Sequence, residues 1–540
     1  MGSCRSRILH SREPACIGRA SVKSALTVVH LAAVVALTVA CSGSSNPSTS
    51  GMHAPPPAMG LNKVNHIIVV MMENHSFDNY FGALAYAPGS PYHTAAGGCA
   101  AGDNACVDGL ACSVDSTGTL TCSNSNPEDD GTTVVAFHDK SRCVIPDLGH
   151  SWSQSHMESN FSDPNNSLMS PLNDGFVRVN DTVDQLDNGV ESATEDQTMG
   201  FYTQDDLPLY YDLAQKFAIS DRYFAPVPGP TLPNRLYGLA ATSFGHVVTG
   251  DTVPAVGYKP ITGSIFDLLD SKQVSWADYS ENGAYATVFR PPSGATDPHY
   301  ASVQSFLAEA AGQPGAELLP QVSLVEPAFG GPQENDDHPP TDVGRGQAFI
   351  SSIVNAVRNG PYWQDSVIFI TYDEHGGFYD HVKSPAAPQG GASTPDGISP
   401  GQCADLSNPP GSTTPGGGVG CDGSTPEAES LCPALAQNPT GPYPAQCATF
   451  NQLGFRVPLL VVSPFAKPQY ISHTIADHTS LLAFIEARFL SDGQGGRLHL
   501  TLRDQYADPL EELFDFDNAP SMNTALIQAQ LPITDCTPAQ

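Results

Sequence analysis

The 540-residue chain is short of basic side chains: 23 Lys and Arg face 56 Asp and Glu, a formal net charge of −33. General nucleic-acid binding needs a basic face, and attachment to anionic lipid needs a polybasic segment. Neither class fits. Beyond residue 40 no apolar run is long enough to span a membrane. There are 13 Cys but no paired CxxC spacing, which weakens a zinc-cluster reading. No internal repeat is evident.

What is present begins with an export signal. Arg5, Arg7, Arg12, Arg19 and Lys23 precede the uncharged apolar stretch SALTVVHLAAVVALTVA at 24–40, and CSGSSNPSTSG follows. Small residues before Cys41 also resemble a bacterial lipoprotein signal, in which that Cys carries the lipid anchor. Ordinary signal cleavage and a retained anchor are the alternatives. Residues 1–41 are thus read as the export segment, 42–62 as a flexible polar spacer, and 63–540 as one domain. The expected location is periplasmic, outer-membrane lipoprotein or secreted. Ten Cys remain after Cys4, Cys16 and Cys41 are set aside, an even number suited to disulfides. Nine of them cluster in two Gly-, Ser- and Pro-rich segments, about 88–145 and 384–450, read as loop insertions over the active face, and the tenth is Cys536.

Outside the insertions, strand and helix signals alternate. The apolar first half of HIIVVMMENHSFDNYFG (66–82), QVSLVEP (321–327), SVIFITYDEHGG (366–377) and RVPLLVVSPFA (456–466) read as strands. Residues 343–360 place Phe349, Ile350, Ile353, Val354 and Val357 on one helical face, and DHTSLLAFIEARF (477–489) is a second amphipathic helix. The fold class expected is α/β, a mostly parallel central sheet with helices on both faces.

Three strand-like runs end in acids or amides: Glu73 with Asn74, Glu326, and Asp373 with Glu374 and His375. Any single one is more often a solvated strand end. Parallel strands would bring them to one edge, where ligands of such sheets bind. Several carboxylates gathered there repel unless a cation joins them. Their oxygen-only donors favour Mg²⁺, Ca²⁺ or Mn²⁺, with Zn²⁺ still open. In PGPTLPNR (228–235), Pro233 suits the first turn of a helix, which places Thr231 at a helix start. There it is either an ordinary cap or a nucleophile at an anion-binding helix end. Asn234 and Arg235 follow closely enough to bind phosphate, although Arg235 is equally an ion-pair partner. Of 17 His, His150 in DLGHSWSQSH and His338 in ENDDHPP rank first, as groups for phosphate charge or a leaving alkoxide. His156, His375, His381 and His478 rank below them.

MMENHSFDNYFG, GHSW, GPTLPNR, DDHPP and TYDEHGGFYDHV, in that order, resemble the bacterial phosphoesterase family over roughly residues 63–490. That family contains phospholipases C and an acid phosphatase and belongs to the alkaline-phosphatase-like superfamily; the two Cys-rich insertions fall outside its pattern. The resemblance implies one divalent metal held by Glu73, Asn74, Thr231, Asp373 and Glu374. It also implies Thr231 as the nucleophile that carries the phosphoryl group, with His150 and His338 assisting the charge and the leaving group. The implied substrate is a phosphate ester, with a phospholipid first, cleaved in the manner of a phospholipase C. A phosphomonoesterase of acid-phosphatase type is the alternative, and a non-catalytic cell-surface binding protein is the alternative from another class. Sulfatase-like chemistry lacks a Cys or Ser at position 231.

Overall fold

A computed structural model describes residues 60–128, 130–144, 147–162, 171–180, 196–244, 246–250, 253–260, 262–388, 450–523 and 536. The export segment, most of the spacer, and Cys403, Cys421, Cys432 and Cys447 lie outside the described residues.

An eight-stranded sheet organises the described chain. In chain order its strands are β1 (His66–Met72), β2 (Ala218–Ser220), β3 (Trp276–Tyr279), β4 (Tyr300–Ala301), β5 (Val322–Val325), β6 (Ser366–Tyr372), β7 (Leu459–Val462) and β8 (Tyr470–Ser472). Their spatial order is β4-β3-β5-β1-β6-β7-β2-β8. Every neighbouring pair is parallel except those made by β7, which runs against both β6 and β2. The sheet is therefore mostly parallel, as expected. The central strands β1 and β6 are continuously apolar, as befits strands buried on both faces. Six of the seven residues of β1, and all seven of β6, are buried.

Register fixes the rest. Met72 pairs with Tyr372 in parallel, so the next residues, Glu73 and Asp373, leave the sheet side by side. Beyond β1 the chain enters α1 (Phe77–Phe81), capped by Ser76. In α2 (Trp152–Asn160), Ser151 and Gln154 form a reciprocal capping box. The third helix, α3 (Thr231–Ala240), starts after Pro230, and α4 (Val343–Asn359) buries the five apolar residues assigned to its inner face. The Asp477 side chain caps α5 (His478–Phe489).

The first insertion folds into small hairpins rather than open loop. Cys112–Val114 pairs with Leu120–Cys122, and Ser125–Pro127 with Thr133–Val135. Disulfides join Cys99 to Cys106, Cys112 to Cys122, and Cys143 to the distant Cys536.

Candidate active site

The carboxyl ends of β1, β5 and β6 form a shelf of acids. Glu73, Glu326, Asp373 and Glu374 are all buried. The turn after β1 is tight: Asn74 has φ +66°, and its N–H donates to Asp373 Oδ1 at 3.3 Å. Gly376 has to be glycine, because a Cβ there would lie 2.2 Å from the Asn74 carbonyl oxygen. That close approach explains the Gly in DEHGG.

Arg235, in the second turn of α3, reaches over the shelf. It donates to Asp373 Oδ2 at 3.3 Å, Glu326 Oε2 at 3.2 Å, Glu73 Oε1 at 3.2 Å and the Met71 carbonyl at 3.1 Å. Its guanidinium stacks over Tyr285 at 4.2 Å. Of the two readings the sequence left open for Arg235, the ion-pair one describes these contacts: the guanidinium holds the acids. Asn234 is likewise occupied within its own loop: it accepts from Val227 N–H and donates to the carbonyls of Gly229 and Pro230.

One guanidinium does not balance these acids. Burial, and then the neighbouring Asp373 carboxylate, push Glu73 up to about 8 despite Arg235. Burial raises Glu326 to about 7 and also raises Asp373. Burial acts in the same direction on Glu374, but His150 and His375 hold it below the ordinary range. Two buried oxygens, Asn74 Oδ1 and Glu374 Oε1, have no hydrogen-bond partner among the described residues. The shelf is thus rich in hard oxygen donors, short of positive charge and incompletely bonded, which fits a divalent cation. Glu73, Asp373 and Glu374 do not gather their oxygens within 4.8 Å of one another, as Asp147, His150 and His338 do with their ligand atoms. Glu73 leans toward Arg235.

Thr231 is the first residue of α3. The helix cap is Pro230, which makes no side-chain cap bond, so Thr231 is not the cap that the plainer reading offered. Its hydroxyl makes no hydrogen bond among the described residues, although the residue is only 6% exposed. It opens on a cavity of ≈550 Å³ together with Glu73, Asp147, His150 and His338. Trp152, Val247, Val248, Tyr285 and Phe329 form the apolar side of that cavity.

His150 Nδ1 donates to the Leu148 carbonyl at 2.7 Å, which turns Nε2 toward Glu374 Oε1, 3.9 Å away. Burial alone would lower its pKa, but Glu374 and Asp147 raise it to about 9. His338 Nδ1 donates to the Pro339 carbonyl at 2.6 Å, and its Nε2 lies 3.7 Å from Asp147 Oδ2. The two imidazoles stand 6.1 Å apart. Asp147 sits between them and was missed in the sequence, where only its place in DLGHSW marked it.

The other histidines do not open on the cavity, and two of them support the shelf from behind. His156 donates to the Trp152 carbonyl at 2.7 Å, and burial lowers its pKa to about 4. His375 bridges Glu158 at 2.6 Å and Glu374 at 3.1 Å. His478 supports the Asp373 carbonyl at 2.8 Å. His381 belongs to a buried ion network around Arg456.

A family model described as "Phosphoesterase family" matches residues 64–490. Among curated proteins, the chain is 27% identical over 470 residues to non-specific phospholipase C6 of Arabidopsis thaliana, spanning 85% of this chain and 73% of that protein. It is 28% identical to non-specific phospholipase C4 of the same plant, over 85% of this chain and 73% of that protein. Phospholipase C B of Mycobacterium tuberculosis is 29% identical over 79% of this chain and 74% of its own length.

Proposed function

Since the chain belongs to the phosphoesterase family, we propose that it cleaves a phosphodiester of the phospholipid class in the manner of a phospholipase C, with Thr231 as nucleophile. The observation that carries this reading is the Thr231 hydroxyl, bonded to nothing among the described residues, at the start of α3 in the same cavity as Glu73, His150 and His338. The names of the relatives support the lipid substrate.

Glu73, Asn74, Thr231, Asp373 and Glu374 would hold one divalent cation, which lowers the pKa of the Thr231 hydroxyl and screens phosphate charge. Arg235 and the Gly376 turn hold the acids in place. The Thr231 hydroxyl gives up its proton to solvent, and Oγ1 attacks phosphorus as the bond from phosphorus to the alcohol oxygen breaks, giving a phosphothreonine that keeps the other substituent. His150, kept protonated by Glu374 and Asp147, faces the charge that develops on the phosphoryl oxygens. His338 donates a proton to the departing alkoxide. His338, now neutral, takes a proton from the water that attacks the phosphothreonine, and Thr231 Oγ1 leaves and takes up a proton to restore the hydroxyl.

The proposal extends to the whole protein: an alkaline-phosphatase-like domain over 63–540, exported by the segment 1–41, with Cys41 as the lipid-anchor site. The three disulfides support an oxidising compartment.

Thr231→Val nearly keeps the side-chain shape and removes the oxygen. The variant should fold normally and lose hydrolysis of a phosphodiester panel by orders of magnitude, while the wild type yields a trappable phosphothreonine. Near wild-type turnover by the folded variant would remove Thr231 from the chemistry and leave a water molecule as nucleophile.

A further inference from the structure

Single exposed apolar side chains are common on protein surfaces and need no explanation. Residues 253–256, Val-Pro-Ala-Val, are a different case. Val253 is 36% and Val256 63% exposed, with exposed Ala255 beside them. They form one turn, closed by Gly257 N–H donating to the Pro254 carbonyl at 2.8 Å.

Both ends of this segment are tied to the wall of the catalytic cavity. On one side Val247, Val248 and Thr249 line that cavity, and Thr249 accepts from Leu232 N–H, next to Thr231, at 3.3 Å. On the other side Tyr258 N–H donates to the Val288 carbonyl at 2.7 Å, at the end of the Tyr285–Val288 helical turn whose Tyr285 also lines the cavity. Gly257, at φ +73°, packs so closely that a Cβ would lie 2.7 Å from the Phe289 carbonyl oxygen. The side of the turn at Gly257 and Tyr258 is firmly seated, and the tip is apolar.

We propose that the turn at residues 253–256 is an interfacial anchor that seats the mouth of the active site on a zwitterionic lipid surface. The inference rests on the phospholipid reading of the site. An apolar turn beside the mouth removes hydrocarbon from water as it enters the bilayer interface, and it brings the cavity to the depth of the phosphodiester. The chain's net charge of −33 selects the surface, because an anionic membrane would repel it.

Trp276 and Trp363 are 3% and 1% exposed and Trp152 lines the cavity, so the emission of an indole placed on the turn is read as the difference from the unsubstituted protein. In the full-length protein, Val256→Trp emission should be quenched by vesicles of brominated phosphatidylcholine, and much less by brominated phosphatidylglycerol. This readout needs no hydrolysis, so it stands or falls apart from the catalytic proposal, and an N-terminal anchor does not mimic it. Val253→Ser combined with Val256→Ser should slow hydrolysis of phosphatidylcholine in vesicles about tenfold and leave a water-soluble phosphodiester unaffected. Three results would overturn the anchor: no quenching, stronger quenching by the anionic vesicles, or an emission that shifts with protein concentration instead of lipid, which would assign the turn to contact between copies of the chain.

Discussion

Arg235 and Arg456 are both buried among carboxylates, at 2% and 0% exposure, yet their surroundings differ in one respect. Around Arg456 the charges close. It pairs with Asp78 at 2.9 Å and Asp380 at 3.0 Å, while Asp108 takes Arg222, and His381 spans Asp78 and Asp108. Three cations meet three carboxylates, and no oxygen of those acids is left unbonded among the described residues. Around Arg235 a single guanidinium meets Glu73, Glu326 and Asp373; His150 and His375 pair with Glu374 beside them, yet Asn74 Oδ1 and Glu374 Oε1 accept no hydrogen bond among the described residues. A closed buried network locks parts of a fold together, whereas an open one implies that something positive completes it. The first joins the insertion to the loop after β6; the second faces the cavity lined by Thr231.

The comparison breaks most sharply at Asp373. Asp373→Ala should abolish phosphodiester hydrolysis by several orders of magnitude and remove bound cation, while circular dichroism stays native, because the core and the Arg456 network are untouched. A variant that keeps both metal and activity would end the reading of the shelf as a ligand set.

The next largest effect lies on the other side. Arg456→Met leaves Asp78 and Asp380 buried without their partner and should cost about 3–5 kcal/mol of stability in denaturant titration. Folded molecules should keep their activity per molecule. A loss of activity larger than the loss of folded protein would mean that the two networks are not separate.

A smaller effect sharpens the contrast through pH. Burial would lower the pKa of His381, but Asp78 and Asp108 raise it to about 10. A group whose folded pKa lies above its unfolded value near 6.5 contributes stability that is complete below that value and is lost as pH rises toward 10. The thermal midpoint of the wild type should therefore fall relative to that of His381→Gln between about pH 6.5 and 10. A constant difference across that range would mean that the imidazole is not held protonated.

The sequence was legible where a signal is local. The apolar runs of β1 and β6 and the 3.6-residue spacing in α4 need only a few neighbouring residues. The acids at the strand ends were readable for the same reason, since parallel pairing of β1 with β6 follows from their composition. Three features were not local. The reversed direction of β7 shows only in its pairing with β6 and β2, which are distant in sequence. Arg235 reads as a phosphate ligand by its nearness to Thr231, yet its partners Glu73 and Glu326 come from two other strands. Asp147 is one acid among many until His338, nearly 200 positions later, arrives beside it.

The central claim is that the shelf left open by Arg235 holds a cation on which the Thr231 chemistry depends. Elemental analysis of the purified protein, run beside activity before and after chelation, tests it most directly. The account predicts about one divalent cation per chain, activity lost with that cation, and recovery when it is restored. A metal-free preparation with full activity would contradict it.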